Sequence, residues 1–223
     1  MEKFALIVAG GSGTRMGTEI PKQFLELCGK VILMHSIERF NNYNANLKIV
    51  VVLPESQFDY WNDLCQKYQF KVPHQLVAGG HSRFQSVRNG LKQVSNDALV
   101  FIHDGVRPLV SSATIQHCEE TAIAKGNALP VMPIVESIRE LDSKGSKHVD
   151  RSRFRLVQTP QTFQSTLIKK AFEQVESPLF TDDASVCEAM GVEINLVDGN
   201  PENIKITQPH DLKIAEFLLT LLD

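Results

Sequence analysis

An α/β fold, with a mostly parallel sheet and helices on both faces, is predicted from three observations. Short β-branched runs recur along the 223 residues. Most of these runs are continuously apolar instead of alternating, as strands covered on both sides are. Longer segments of helical period separate them. Together they describe a single Rossmann-like domain spanning residues 1–223.

The elements follow in order. The run 4–9 is the first strand and ends in a glycine turn. The run 48–53, Lys-Ile-Val-Val-Val-Leu, is the second; it stops at Pro54, and 55–70 has helical period. A third strand, 74–78, stops at Gly79 and Gly80. Ser82 then caps a helix, Gln85 completes a capping box, and Phe84, Val87, Leu91 and Val94 repeat on one face. Strand 98–102, helix 112–125 and strand 127–131 come next, then helices 165–175 and 183–190 and a strand at 192–197. Thr207 is the expected N-cap of a last helix, whose apolar face holds Leu212, Ala215, Phe217, Leu218 and Leu222.

One segment breaks this rhythm. Residues 134–155 are rich in charge, and Asp142-Ser-Lys-Gly-Ser-Lys147 at their centre has the composition of a hairpin tip. Such a stretch cannot bury both faces in its own core. A solvated loop and an arm that reaches a partner subunit are both open on this pattern.

Charge and cysteines narrow the function classes. The formal net charge of −3 argues against nucleic-acid binding through bulk positive charge. Cys28, Cys65, Cys118 and Cys187 form no CxxC pair and no zinc-ligand spacing. No apolar run is long enough to span a bilayer, and the first residues lack the basic start of a signal peptide. A soluble cytoplasmic protein with free thiols is expected. GxSxG, HExxH and Cys–His constellations are absent, so hydrolase and metalloprotease readings lack support.

Ligands of open parallel sheets bind beyond the carboxyl ends of the strands. The first such end reads Ala9, Gly10, Gly11, Ser12, Gly13, Thr14, Arg15, Met16, Gly17, with Lys22 shortly after. Three glycines in four residues let the backbone approach a ligand and present N–H groups to an anion. A tight strand-to-helix turn with two solvated cations is the alternative, but glycines together with two cations directly after a first strand favour phosphate binding. A Walker A loop would need Lys-Ser/Thr after its last glycine, and a dinucleotide loop would need glycine where Met16 stands. The second strand end offers backbone groups at Gly80 and His81 and the hydroxyl of Ser86, suited to a base edge. At the third, Asp104 ends an apolar run beside Arg107; it is either half of a surface ion pair or a carboxylate at the ligand edge suited to Mg²⁺. Lys205, a lone cation between Ile204 and Ile206, points either to solvent or into a site.

These motifs as a set resemble a known family. The opening 4–17 with Pro21-Lys-Gln23 is similar to the signature loop of sugar-phosphate nucleotidyltransferases. Adding Gly79-Gly80, Arg83, Ser86, His103-Asp104, Arg107-Pro108, Thr159-Pro-Gln161, Thr181-Asp-Asp-Ala-Ser185 and Asn203-Ile-Lys-Ile-Thr207 narrows it to the 2-C-methyl-D-erythritol 4-phosphate cytidylyltransferase family. The resemblance implies CTP as one substrate, a polyol phosphate as the other, and Mg²⁺ near Asp104. It implies that Arg15 and Lys22 stabilise charge at the α-phosphorus. Ala9 through Thr14, Gly80, His81, Arg83, Ser86 and Asp104 would surround the nucleotide. The family commonly carries an acidic residue at the position of His81, so only the backbone role transfers there. Arg107, Thr159, Thr181 and Lys205 would surround the methylerythritol phosphate. Arg151 would reach it from the partner of a homodimer, on a projecting β-arm at about 134–155. Arg151, Thr159 and Lys205 are expected to hold the attacking phosphate. A ribitol-5-phosphate cytidylyltransferase, a noncatalytic nucleotide-binding module and a nicotinamide oxidoreductase are the competing readings; the missing glycine at Met16 weakens the last.

Overall fold

The computed structural model describes residues 1–10, 20–143 and 145–221. The strands of its central sheet are β1 Lys3–Val8, β4 Lys48–Leu53, β5 Gln75–Ala78, β6 Leu99–Asp104, β7 Asn127–Pro133, β10 Arg155–Val157, β11 Gln161–Gln164 and β12 Leu196–Asp198. They form one eight-stranded sheet in the order β10-β7-β11-β6-β1-β4-β5, with β12 beside β7. Strands β5, β4, β1 and β6 run parallel. β11 lies antiparallel between β6 and β7, and β10 runs antiparallel to β7.

Side-chain alternation explains the two-sided core. Ala5, Ile7, Ile49, Val51, Leu53, Leu99 and Phe101 face one layer, formed by α1 Ile32–Tyr43, α2 Phe58–Lys67 and α4 Ser112–Lys125. Phe4, Leu6, Val50, Val52, Val100 and Ile102 face the other, formed by α3 Arg83–Leu91, α5 Ser165–Ala171 and α6 Asp183–Glu188. Strands buried on both faces must be apolar at every position, and these are. A third cluster seats α7 Pro209–Leu219 through Ala215 and Leu219 against Leu27, Ile32, Val106 and Leu109.

Several elements differ from those the sequence predicts. α1 is not among the expected helices: its N-cap position is Val31, which supplies no side-chain cap, so no start signal marks it. β10 and β11 are also unexpected. The strand expected at 192–197 is only Leu196–Asp198, because Val192 and Ile194 pack against the layer of α3, α5 and α6 instead of joining the sheet. The helix expected at 55–70 divides into a 3₁₀ turn, Glu55–Gln57, and α2. Gln208, not Thr207, caps α7, since Pro209 is preorganised for the first helical position; the Thr207 N–H and hydroxyl instead donate to Asp211 Oδ2 at 2.8 and 2.9 Å.

The charged segment does form a hairpin. β8 Arg139–Asp142 pairs with β9 Gly145–His148, Asp142 opposite Gly145, and all of these residues are exposed. β2 Glu26–Leu27 and β3 Lys30–Val31 make another small pair.

In register, Val8 lies beside both Val52 and Asp104, so β1, β4 and β6 end level with one another. The chain turns one way from β1 to β4 and the other way to β6, which makes the β1/β6 edge a topological switch point. Next to it, over the β1/β4 pair, packing is tight at Gly90 of α3, where a Cβ would lie 2.3 Å from Leu6 Cδ1 and 2.9 Å from Val52 Cγ2. Gly90→Ala is therefore expected to cost about 1–3 kcal/mol through overpacking, despite Ala's better helix propensity. A lower urea midpoint at an unchanged slope would show this; an unchanged or higher midpoint would mean that the sheet yields.

Candidate active site

Apolar β6 ends in a carboxylate that three cations surround. Lys205 Nζ lies 3.0 Å from Asp104 Oδ2, Arg107 Nε 3.3 Å from the same oxygen, and Arg83 Nε 3.9 Å from Oδ1. Burial on its own would raise the Asp104 pKa, but Arg83, Lys205 and Arg107 outweigh it and hold the carboxyl well below the usual carboxylate range. Asp104 is therefore an anion throughout the physiological range.

Each cation is itself anchored. Arg83 forms a bidentate pair with fully buried Asp183, at 2.6 and 2.7 Å. Burial opposes the guanidinium charge there, yet the pairing with Asp183 keeps Arg83 above its ordinary pKa. Arg107 Nη1 donates to the Asn203 carbonyl at 2.7 Å and Nη2 to that of Val157 at 3.4 Å. Lys205 is held by its backbone, since the Ile206 N–H donates to Val106 O at 2.9 Å and Ile206 is buried. The segment around Lys205 is not a strand, but the cation does point into the site.

Two hollows meet at this cluster and share Arg83, Asp104 and Lys205. The smaller, about 150 Å³, is completed by Val8, Ala9, Gly10, Lys22, Gln23 and Val106. The larger, about 290 Å³, is completed by Arg107, Val157, Gln158, Thr159, Gln161, Thr181 and Asp182. A more open hollow of about 400 Å³ lies elsewhere, between α1 and the loop before β5, away from the Asp104 cluster.

Beside the smaller hollow, the turn after β5 is locked. Ser86 Oγ accepts the Gly80 N–H at 3.0 Å and donates to Ser82 O at 2.8 Å. Ser82 Oγ accepts the Gln85 N–H as expected, but the Gln85 side chain takes the His81 N–H, not that of Ser82. A Cβ on Gly80 would lie 2.3 Å from Gln85 Cβ, so this close approach needs glycine.

A family profile described as 2-C-methyl-D-erythritol 4-phosphate cytidylyltransferase (IspD) matches residues 4–221. The chain belongs to this family. The protein of that name from Bacteroides fragilis is 50% identical over 219 residues, covering 98% of this chain and 100% of its own. That from Phocaeicola vulgatus is 51% identical over 219 residues, covering 98% of this chain and 100% of its own. The crystal structure of the Thermus thermophilus cytidylyltransferase is similar at a TM-score of 0.80 and 30% identity, covering 99% of this chain and 100% of its own.

Against the cytidylyltransferase expectation, the structure brings together Ala9, Gly10, Lys22, Arg83, Asp104, Arg107, Thr159, Thr181 and Lys205 around the two hollows. Gly80, His81 and Ser86 line neither, although Ser86 Oγ would sit 3.7 Å from a Cβ on Gly10. Gly11, Ser12, Gly13, Thr14 and Arg15 lie outside the described residues. Arg151 lines neither hollow: it stands in the turn Arg151–Arg153 and donates to the Val135 carbonyl at the base of the hairpin arm. The sequence reading missed Asp183, which with Asp182 resembles a helix-start carboxylate; Asp182 is the N-cap, and Asp183 is the buried anchor of Arg83. It also missed Gln161, whose amide bonds Asp182 and the Ala184 N–H and so ties β11 to α6.

Burial pushes the His103 imidazole down to about 4. Its unfolded value is near 6.5, so between these values the unfolded chain holds a proton that the folded chain does not. Stability should therefore fall as pH drops from about 6.5 toward 4, by about 3 kcal/mol from this group in full. Urea midpoints across that range are expected to show a slope shallower by about one proton for His103→Leu; equal slopes would remove His103 from the acid transition.

Proposed function

We propose that the smaller hollow takes CTP and the larger takes 2-C-methyl-D-erythritol 4-phosphate, and that the chain joins them to 4-diphosphocytidyl-2-C-methyl-D-erythritol with release of pyrophosphate. The observation that carries this reading is the single carboxylate, ringed by three cations, at which two hollows meet. Family membership makes the chain a nucleotidyltransferase, and favours methylerythritol phosphate over ribitol 5-phosphate and over a noncatalytic nucleotide-binding role.

The substrates' chemistry assigns the work. The attacking phosphate oxygen is already anionic, so the transfer needs no strong base. What opposes it is repulsion between two anions and charge accumulating at the α-phosphorus and the leaving group. Fixed cations in a partly dry site answer that need. Lys22 faces the smaller hollow, where with Arg15 it neutralises the triphosphate. Lys205 borders both hollows and neutralises the attacking phosphate as it nears the α-phosphorus. Arg83, fixed to Asp183, holds the partition without swinging. The Gly80 and His81 amides are committed within their turn, which leaves their carbonyls to accept from the exocyclic amine of cytosine. Ala9 and Gly10 let the base and ribose approach the backbone.

Asp104 suits a divalent cation that arrives with the nucleotide. Oδ2 is taken by Lys205 and Arg107, Oδ1 is 3.9 Å from Arg83 Nε, and no cluster of three or more His, Cys, Asp or Glu that could hold a metal occurs among the described residues. One protein oxygen plus substrate phosphates is an ordinary Mg²⁺ set. Bound there, Mg²⁺ would supply charge neutralisation and a template for the phosphates.

The arm at about 134–155 is read as the homodimer contact, bringing Arg151 to a partner's larger hollow. Its support is exposed apolar surface on and beside the arm, at Val135, Leu141, Phe154 and Leu156. Four unpaired thiols suit a reducing compartment, the cytoplasm.

Pyrophosphate release from CTP with each polyol phosphate tests the reading. Methylerythritol phosphate should be the better substrate, and Lys22→Ala should lower turnover roughly 10²–10³-fold at saturation. Mixing Lys22→Ala with Arg151→Ala should restore part of the activity in mixed dimers. Preference for ribitol 5-phosphate, or no recovery in verified mixed dimers, would overturn the substrate or the arm assignment respectively.

A further inference from the structure

Thr159 stands on the wall of the larger hollow, and its hydroxyl has two fixed neighbours to satisfy. The Asp104 backbone N–H, which can only donate, points at Thr159 Oγ1 from 3.1 Å. On the other side, His103 Nδ1 lies 3.0 Å from the same oxygen. The far ring nitrogen, His103 Nε2, lies 3.0 Å from the Arg107 carbonyl, which can only accept. Nε2 therefore carries the ring proton. The ring is fully buried, where an imidazolium is disfavoured more strongly than the nearby carbonyls and Asp104 favour it, so it is the neutral imidazole and, with the proton on Nε2, Nδ1 is bare. A bare Nδ1 requires the Thr159 hydroxyl to donate to it. A hydroxyl has one proton and two lone pairs. The proton goes to His103, one lone pair goes to Asp104 N–H, and one lone pair is left for the hollow.

We propose that His103 sets the polarity of Thr159, so that Thr159 recognises a hydroxyl of the polyol phosphate as a hydrogen-bond donor and does not grip its phosphate. The proposal rests on the larger hollow being the polyol-phosphate site. It reverses the role expected of Thr159 from resemblance, since phosphate oxygens offer only lone pairs and would meet a lone pair here. The cations Lys205 and Arg107, at the same wall, remain to hold the phosphate. His103 is a positioning residue: it borders neither hollow and acts through the threonine.

The test measures kcat and KM at saturating CTP for 2-C-methyl-D-erythritol 4-phosphate and its 1-, 2- and 3-deoxy analogues. The proteins are the unsubstituted chain, His103→Leu, His103→Asn and Thr159→Val, each checked for a cooperative thermal transition. One deoxy analogue should lose about 10–100-fold in kcat/KM with the unsubstituted chain, the loss expected for one unmade hydrogen bond in a buried site. Thr159→Val should raise KM for the parent substrate and flatten that discrimination. His103→Leu should raise the same KM about tenfold, leave KM for CTP unchanged and weaken the discrimination. His103→Asn, which can place an acceptor near the Nδ1 position, should recover most of it. If Thr159→Val raises the KM but His103→Leu matches the unsubstituted chain in both constants, the coupling is wrong and the site reading stands. If Thr159→Val leaves the polyol-phosphate KM unchanged, the site reading itself falls. Should His103→Leu fail to fold, the analogue series on the unsubstituted chain decides alone: equal kcat/KM for all three analogues and the parent overturns the proposal.

Discussion

The carboxylate of Asp104 is the point on which the site depends. It is buried at the end of β6, where an isolated charge would be strongly disfavoured, and three cations make its ionised form the stable one. The relation runs both ways. Arg83, Arg107 and Lys205 repel one another, and a common anion between them is what lets three positive charges converge on a narrow edge. The site is thereby charged before any substrate arrives, and its cations need little reorganisation when phosphates enter.

The fold supplies this convergence from distant parts of the chain. β6 delivers Asp104 level with the end of β1, α3 delivers Arg83, the turn after β6 delivers Arg107, and the segment before α7 delivers Lys205. Asp183 on α6 then fixes Arg83 by a buried bidentate pair. Breaking such a pair by removing one partner typically costs about 3–5 kcal/mol, so the cluster also welds α3 to α6. Gln158, Asn200 and Asn203 form a second layer, in which the Asn203 amide donates to the Thr159 carbonyl at 2.8 Å and to Gln158 Oε1 at 3.2 Å. Most of the polar groups in this layer, which would be costly if buried alone, satisfy one another, whereas Asn203 Oδ1 has no hydrogen-bond partner among the described residues.

How much of this was legible in the sequence depended on whether the cause was local. β1, β4 and β6 were readable because strands buried on both faces are apolar without interruption. α3 was readable from Ser82 and the spacing of Phe84, Val87 and Leu91. α1 was hidden because no capping residue precedes it and its start continues the apolar run of β3. β11 was hidden because Gln161 and Gln164 look like loop residues, and Gln161 is buried only because α6 offers it partners. The same limit applies at the site. Asp104 and Lys205 stood out as charges in apolar contexts, whereas Asp182 and Asp183 are alike in sequence and differ only in what packs against them.

The most direct test of the central claim is the turnover of Asp104→Asn with both substrates saturating, in protein shown to retain its cooperative unfolding. The substitution keeps the shape and removes the anion that gathers the cations. A fall in kcat of roughly 10²-fold or more is the outcome this account requires; a kcat within a few-fold of the unsubstituted chain would contradict it.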